Sequence, residues 1–203
     1  MSSSASLPEL LLVTPEPDDA SQFDAFLMRL RTALDAGISL VQLRAKTLPA
    51  AAYAALAARA ATLCHAHGAR LILNGPIDDP VAVGADGVHL SSAQLMSLAQ
   101  RPVALPMLLS AACHDRDQLL HAEHIGADLV TLSPVLPTAS HPGAPTLGWP
   151  TFAHLCSEAR VPIYALGGMT RADIQTARTC GAQGIAAISG LWPVASSTST
   201  VTR

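Results

Sequence analysis

Three polar side chains on alternate residues, Gln42, Arg44 and Lys46, interrupt the otherwise apolar stretch VQLRAK. In extended backbone that alternation puts all three on one face. Burying two cations on one strand face is costly unless an anion meets them. Arginine offers a planar fork and lysine a point charge, a combination suited to phosphate or pyrophosphate. The alternative is a structural ion pair with an acid from a neighbouring strand, and few acids fall at neighbouring strand ends. A second group lies in ALGGMTRAD (165–173) and AAISGLW (186–192). Each reads as a small-residue turn opening a helix, and the N–H groups of Gly167, Gly168, Ser189 and Gly190 suit a phosphate there. A third is the Pro-, Gly- and hydroxyl-rich run SPVLPTASHPGAPTLGW (133–149). Its length suits a lid or clamp with Thr138, Ser140 and His141 as donors, or else a plain surface loop.

The elements that position these groups follow a beat. Short apolar runs at 9–13, 39–44, 70–74, 86–90, 106–111, 128–133, 162–166 and 184–189 read as strands. Between most of them lie alanine-rich segments of helical period, such as 49–68, with Pro49 in the first turn and Gly68 at the end. VGADGV, IGADLV and CGAQGI each end a helix on glycine and start a buried strand. Eight such units in 203 residues predict a single (β/α)8 TIM barrel spanning 1–203, with 1–8 and 194–203 as disordered tails. An open doubly wound sheet fits less well, because LLVTPEPDD lacks a Gly-rich turn after the first strand. In a barrel the strand C-termini form the active-site mouth, and the last two loops are a recurrent phosphate site. Two anion-binding zones are therefore expected.

Bulk properties narrow the function. The formal charge of −3 gives no case for nucleic acid or a membrane surface, so anion sites must be local. The N-terminal stretch lacks the pattern of a signal peptide, and no apolar run is long enough to span a bilayer. Cys64, Cys113, Cys156 and Cys180 are widely spaced and read as reduced thiols, which places the chain in the cytoplasm. CHAH (64–67) reads as a helix end facing water rather than a metal site.

With these pieces placed, the chain resembles the thiamine-phosphate synthase/TenI family from about Leu10 to Trp192. VQLRAK resembles its Gln-Leu-Arg-x-Lys strand, and LILN with VGADGVHL its third and fourth strands. SPVLPT resembles its Pro-Val-x-Pro-Thr loop, and ALGGMT its Ile-Gly-Gly-Ile turn. In the synthases a pyrimidine diphosphate loses pyrophosphate, and a thiazole phosphate nitrogen captures the resulting cation. The resemblance implies that Gln42, Arg44, Lys46 and Asn74 hold the pyrimidine diphosphate. Thr138 matches the loop threonine, and Ser140 stands where a second threonine is usual. Gly168, Ile188 and Ser189 match the thiazole-phosphate site. The expected partners are small phosphorylated thiazole and pyrimidine ligands; a homo-oligomer stays open.

The chain departs from the family where the synthases hold Mg²⁺. Gly75 and Gln94 occupy the two usual aspartate positions, and Asp78 and Asp79 have the wrong spacing to replace the first. Without two carboxylates, Mg²⁺ keeps only water and phosphate ligands. No cofactor is therefore expected, although a synthase would need Mg²⁺. His141 stands in place of the loop lysine, and Ala112 in place of the family serine after strand five. His114 remains, in SAACHDRD (110–117). In TenI-type thiazole tautomerases the histidine at this position shuttles a proton, work suited to an imidazole near neutral pH and needing no Mg²⁺. The alternative is a surface histidine at a helix start. His89 matches a family histidine too, but reads as a packed core residue. The 133–149 loop and the closing GLW resemble synthase-like domains attached to Nudix hydrolases, which leaves open a functional link to such a hydrolase. Three readings follow: a synthase-like enzyme, a tautomerase using His114, and a non-catalytic thiazole or thiamine phosphate binding or regulatory module.

Overall fold

The computed structural model describes residues 7–17, 19–76, 78–138 and 143–194. Eight parallel strands close into a barrel in sequence order: β1 (Leu10–Val13), β2 (Leu40–Arg44), β3 (Arg70–Asn74), β4 (Gly87–Leu90), β5 (Leu108–Cys113), β6 (Leu129–Leu132), β7 (Ile163–Leu166) and β8 (Gly184–Ala187). The helices are α1 (Phe23–Asp35), α2 (Ala50–Ala66), α3 (Ser92–Ser97), α4 (Arg116–His124), α5 (Gly148–Glu158) and α6 (Ile174–Thr179). The expected barrel is therefore the observed one. Two expected details differ. β5 starts and ends two residues later than the expected 106–111, since Pro106 and Met107 sit in the preceding turn. The turn after β8 closes on itself through Leu191 and Trp192 N–H to Ile188 C=O, and no helix follows it among the described residues.

Side-chain parity builds two apolar layers. One set of strand residues, with the helices' inner faces, forms the ring-shaped core between sheet and helices. The other, Leu11, Val13, Leu40, Ile72, Leu129, Tyr164 and Ala186, fills the barrel lumen. Alternation from Leu40 then carries Gln42 and Arg44 up the lumen face toward the mouth.

The three Gly-Ala steps work as their sequence implied. Gly84, Gly126 and Gly181 all take positive φ, where other residues are strained. The residue after each Gly-Ala pair does more. Asp86 accepts the Leu71 N–H of β3, and Asp128 accepts the Leu109 N–H of β5, each at 2.7 Å. Gln183 donates to the Leu7 carbonyl at 2.6 Å, beside Tyr164 O–H donating to the Pro8 carbonyl. Leu7 and Pro8, expected in a frayed tail, are thus bonded to the barrel floor. Residues 1–6 and 195–203 of the expected tails lie outside the described residues.

Candidate functional site

One cavity of about 1110 Å³ opens at the strand C-termini. It gathers every described candidate: Gln42, Arg44, Lys46, Asn74, His114, Thr138, Gly168, Ile188 and Ser189 all line it. Ser140 and His141 lie outside the described residues.

On the β2–β3 side the polar groups are partly committed to one another. Gln42 is buried and accepts from Asn74 Nδ2 at 2.8 Å. Arg44 Nη1 donates to Glu16 Oε2 at 2.9 Å, so the ion pair left open as the alternative is present. Glu16 follows β1, and its other oxygen accepts the Lys46 and Thr47 N–H groups at 2.6 Å and the Thr47 hydroxyl at 2.8 Å. Burial alone would raise the Glu16 carboxyl. The Thr47 and Lys46 hydrogen bonds and the Arg44 charge outweigh it and hold the group below its ordinary range. Glu16 was missed in the sequence because its acid sits in a Pro-Glu-Pro loop. Its signal was its place just after β1, the strand beside β2.

The two positions where the family places metal-binding aspartates have other uses here. A Cβ on Gly75 would lie 2.5 Å from the Ala45 carbonyl oxygen and 2.5 Å from Tyr53 Cζ. Tyr53, fully buried on α2, donates to the Leu43 carbonyl and accepts the Asn74 N–H, tying β2 to β3. Gln94 closes a capping box with Ser91 at the start of α3. Asp79 accepts the Val81 and Ala82 N–H groups in the β3–β4 turn. An aspartate pair holding Mg²⁺ does not fit this packing, and no group of three or more His, Cys, Asp or Glu among the described residues could hold a metal ion. At CHAH, His65 pairs with Asp86 and His67 with Asp35, while Cys64 is buried. Burial pushes the Cys64, Cys113 and Cys156 thiols up to about 12, which removes them as nucleophiles near neutral pH.

On the β7–β8 side the backbone closes in. Gly168 takes φ +69°, and a Cβ there would meet the Pro137 carbonyl oxygen at 2.6 Å. At Gly190 a Cβ would run into the Met169 carbonyl. These two turns pack against each other and against the loop after β6, leaving main chain facing the cavity, an arrangement whose N–H groups suit an anion.

His114 is the first residue after β5. Its Nδ1 lies 2.8 Å from the Ser133 carbonyl oxygen, an acceptor only, so Nδ1 carries the proton and Nε2 the lone pair of the neutral ring. It is exposed and lines the cavity, and α4 starts beyond it with Asp115 as cap. His89 corrects the sequence reading. Read from the sequence as a packed core residue, it instead lines the same cavity, half-buried, and bonds Ser110 Oγ through Nδ1 at 2.9 Å. Desolvation, and secondarily the Lys46 charge, lower its pKa to about 3, so it is neutral at physiological pH.

The model of a family described as thiamine monophosphate synthase matches residues 10–191. A thiamine-phosphate synthase from Synechococcus sp. is 35% identical over 182 residues, 89% of this chain and 51% of that longer protein. Thiamine-phosphate synthase 2 from Streptococcus pneumoniae serotype 4 is 30% identical over 183 residues, 90% of this chain and 86% of its own. Among solved structures, a thiamine phosphate pyrophosphorylase from Pyrococcus furiosus superposes with a TM-score of 0.71 at 23% identity, covering 89% of this chain and 85% of that one. At that identity the likeness speaks for the fold.

Proposed function

The chain belongs to the thiamine monophosphate synthase family, and on that premise we propose that it is a thiamine-biosynthesis enzyme that binds thiazole phosphate and moves a proton on it. The β7 and β8 turns at Gly168, Ile188 and Ser189 hold the phosphate. His114 is the acid–base group, and its geometry is the observation that carries the reading. A carbonyl fixes Nδ1–H, leaving Nε2 to accept a proton at a residue that lines the cavity. Tautomerisation takes a proton from one atom of the ring system and returns one to another. One imidazole therefore acts first as base and then as acid, with no net change and no leaving group. The packing of Tyr53 against Gly75 supports this over a reaction that needs a metal to neutralise departing pyrophosphate.

A specific observation favours synthase activity as the second reading. Gln42, Arg44, Lys46 and Asn74 stay together at the opposite side of the cavity, where the pyrimidine diphosphate would bind. A non-catalytic module binding thiazole or thiamine phosphate is the third. A cytoplasmic location is part of this proposal, and the four free cysteines support it; no helix among the described residues is long and apolar enough to cross a membrane. The link to a Nudix hydrolase rests on the 133–149 and GLW resemblance alone.

The test compares His114→Ala with Arg44→Ala. For a tautomerase, His114→Ala leaves thiazole phosphate affinity nearly unchanged while turnover falls by about 10² to 10⁴. A synthase reverses the order, with Arg44→Ala the worse. Ligand binding with no turnover in the wild type leaves the binding module.

A further inference from the structure

Thr131 is completely buried on β6, and its Oγ1 has no hydrogen-bond partner. It shares the face of Leu129, a lumen residue, and lines the cavity. Its partners across the sheet cannot satisfy it. Ala112 on β5 carries no polar side-chain atom, and the Tyr164 hydroxyl on β7 is bonded to the Pro8 carbonyl. Ser110, also buried in the lumen, is already bonded to His89. Buried hydroxyls are ordinarily paired, because leaving one unpaired costs free energy on every molecule that folds. An unpaired hydroxyl on a cavity wall therefore points to a group that enters the cavity.

Its position says which part of the ligand that is. Thr131 sits two residues before Ser133, which follows the end of β6, and the Ser133 carbonyl orients His114. The lumen residues beside it carry no charge: Ala112 pairs with it on β5 and Tyr164 on β7, with Ser110 and neutral His89 further along the same layer. We propose that Thr131 is a specificity-determining residue whose hydroxyl bonds a ring heteroatom of the ligand, seating the uncharged heterocycle beneath His114 while the β7–β8 turns hold its phosphate. This deepens the reading of the cavity as a thiazole-phosphate site and rests on it. A site built around such a bond discriminates against rings that lack the heteroatom, because they leave the hydroxyl unpaired.

The test is calorimetric titration of wild type, Thr131→Val and Thr131→Ser with 4-methyl-5-(2-phosphooxyethyl)thiazole and, separately, with inorganic phosphate. Valine keeps the shape and removes the hydroxyl; serine keeps the hydroxyl. Thr131→Val should weaken the thiazole phosphate about tenfold, the loss of one hydrogen bond, and leave phosphate and Tm undiminished. Thr131→Ser should stay within about threefold of wild type. Thr131→Val binding the thiazole phosphate as tightly as wild type overturns the proposal, as does equal weakening of both probes. If the valine variant does not fold, Thr131→Ala against Thr131→Ser decides by the same ratio. A wild type that binds phosphate but not the thiazole phosphate overturns the reading of the cavity itself, and the proposal with it.

Discussion

Adding a single methyl at Gly75 tests whether Tyr53 occupies the space a family aspartate would use. Gly75 is not among the glycines with positive φ, so Gly75→Ala brings no backbone penalty of that kind and isolates the steric one. The new Cβ would lie 2.5 Å from a backbone oxygen and 2.5 Å from a ring carbon of a fully buried tyrosine. Relieving this must move Tyr53, whose hydroxyl spans the Leu43 carbonyl and the Asn74 N–H at 2.9 and 3.0 Å. Overpacking costs about 1–3 kcal/mol, and weakening those two hydrogen bonds adds about 1 kcal/mol each at most. Gly75→Ala should therefore lose about 3 kcal/mol in urea unfolding, or roughly 6–12 °C of Tm for a chain of this size. Tyr53→Ala alone should cost about 3–5 kcal/mol as a cavity. The double variant should fall well short of the sum, by about 1–3 kcal/mol, because the alanine at 53 clears the space. Gly75→Asp with Gln94→Asp should likewise fail to create Mg²⁺-dependent pyrophosphate binding while Tyr53 is present. Wild-type stability in Gly75→Ala, or strict additivity with Tyr53→Ala, would refute the reasoning.

Three further outcomes are expected. Glu16→Gln should destabilise by about 1–3 kcal/mol at pH 7, since a charged acceptor of four donors is lost. The Glu16 carboxyl is lowered from 4.5, so this contribution is present above 4.5 and fades as pH falls through the lower folded value; equal wild-type and variant stability at acid pH checks it. His89 stays neutral down to about 3 in the fold but takes a proton near 6.5 when unfolded. Between those values the unfolded state binds more protons, so stability drops as pH is lowered, by up to about 1.4 kcal/mol per unit, and His89→Gln should flatten that slope in a urea series. His114→Ala should lower turnover without lowering thiazole phosphate affinity, measured by single-turnover kinetics and calorimetry.

What the sequence made legible was whatever depends on local period and punctuation. The strand beat, the Gly-Ala steps and the alternation of Gln42, Arg44 and Lys46 are set by neighbours in the chain, so the barrel and its mouth follow from them. The residues that escaped act across long separations. Tyr53 lies within the alanine-rich helical segment 49–68, and only the fold brings the Leu43 carbonyl of β2 and the Asn74 N–H of β3 to its hydroxyl. Glu16 lies 28 residues from Arg44. His89 has the alternation of its strand, but that pattern does not say which of two apolar layers, lumen or outer core, its face meets. Thr131 reads as an ordinary strand threonine until Ala112 and Tyr164 are placed on either side.

The Gly-Ala-Asp steps also bear on the order in which the barrel closes. Asp86 to Leu71 and Asp128 to Leu109 join groups 15 and 19 residues apart, loops that cost little entropy to form. The equivalent step at Gln183 reaches Leu7 across 176 residues. Two of the three latches can thus set while the chain is still growing, and the third must wait for β8. The turns at Gly168 and Ser189 follow β7 and β8, the last two strands of the chain, so that wall of the cavity is the late-forming part of the molecule. Amide hydrogens around β1 and β8 should accordingly gain protection last during refolding, after those of β3 to β6.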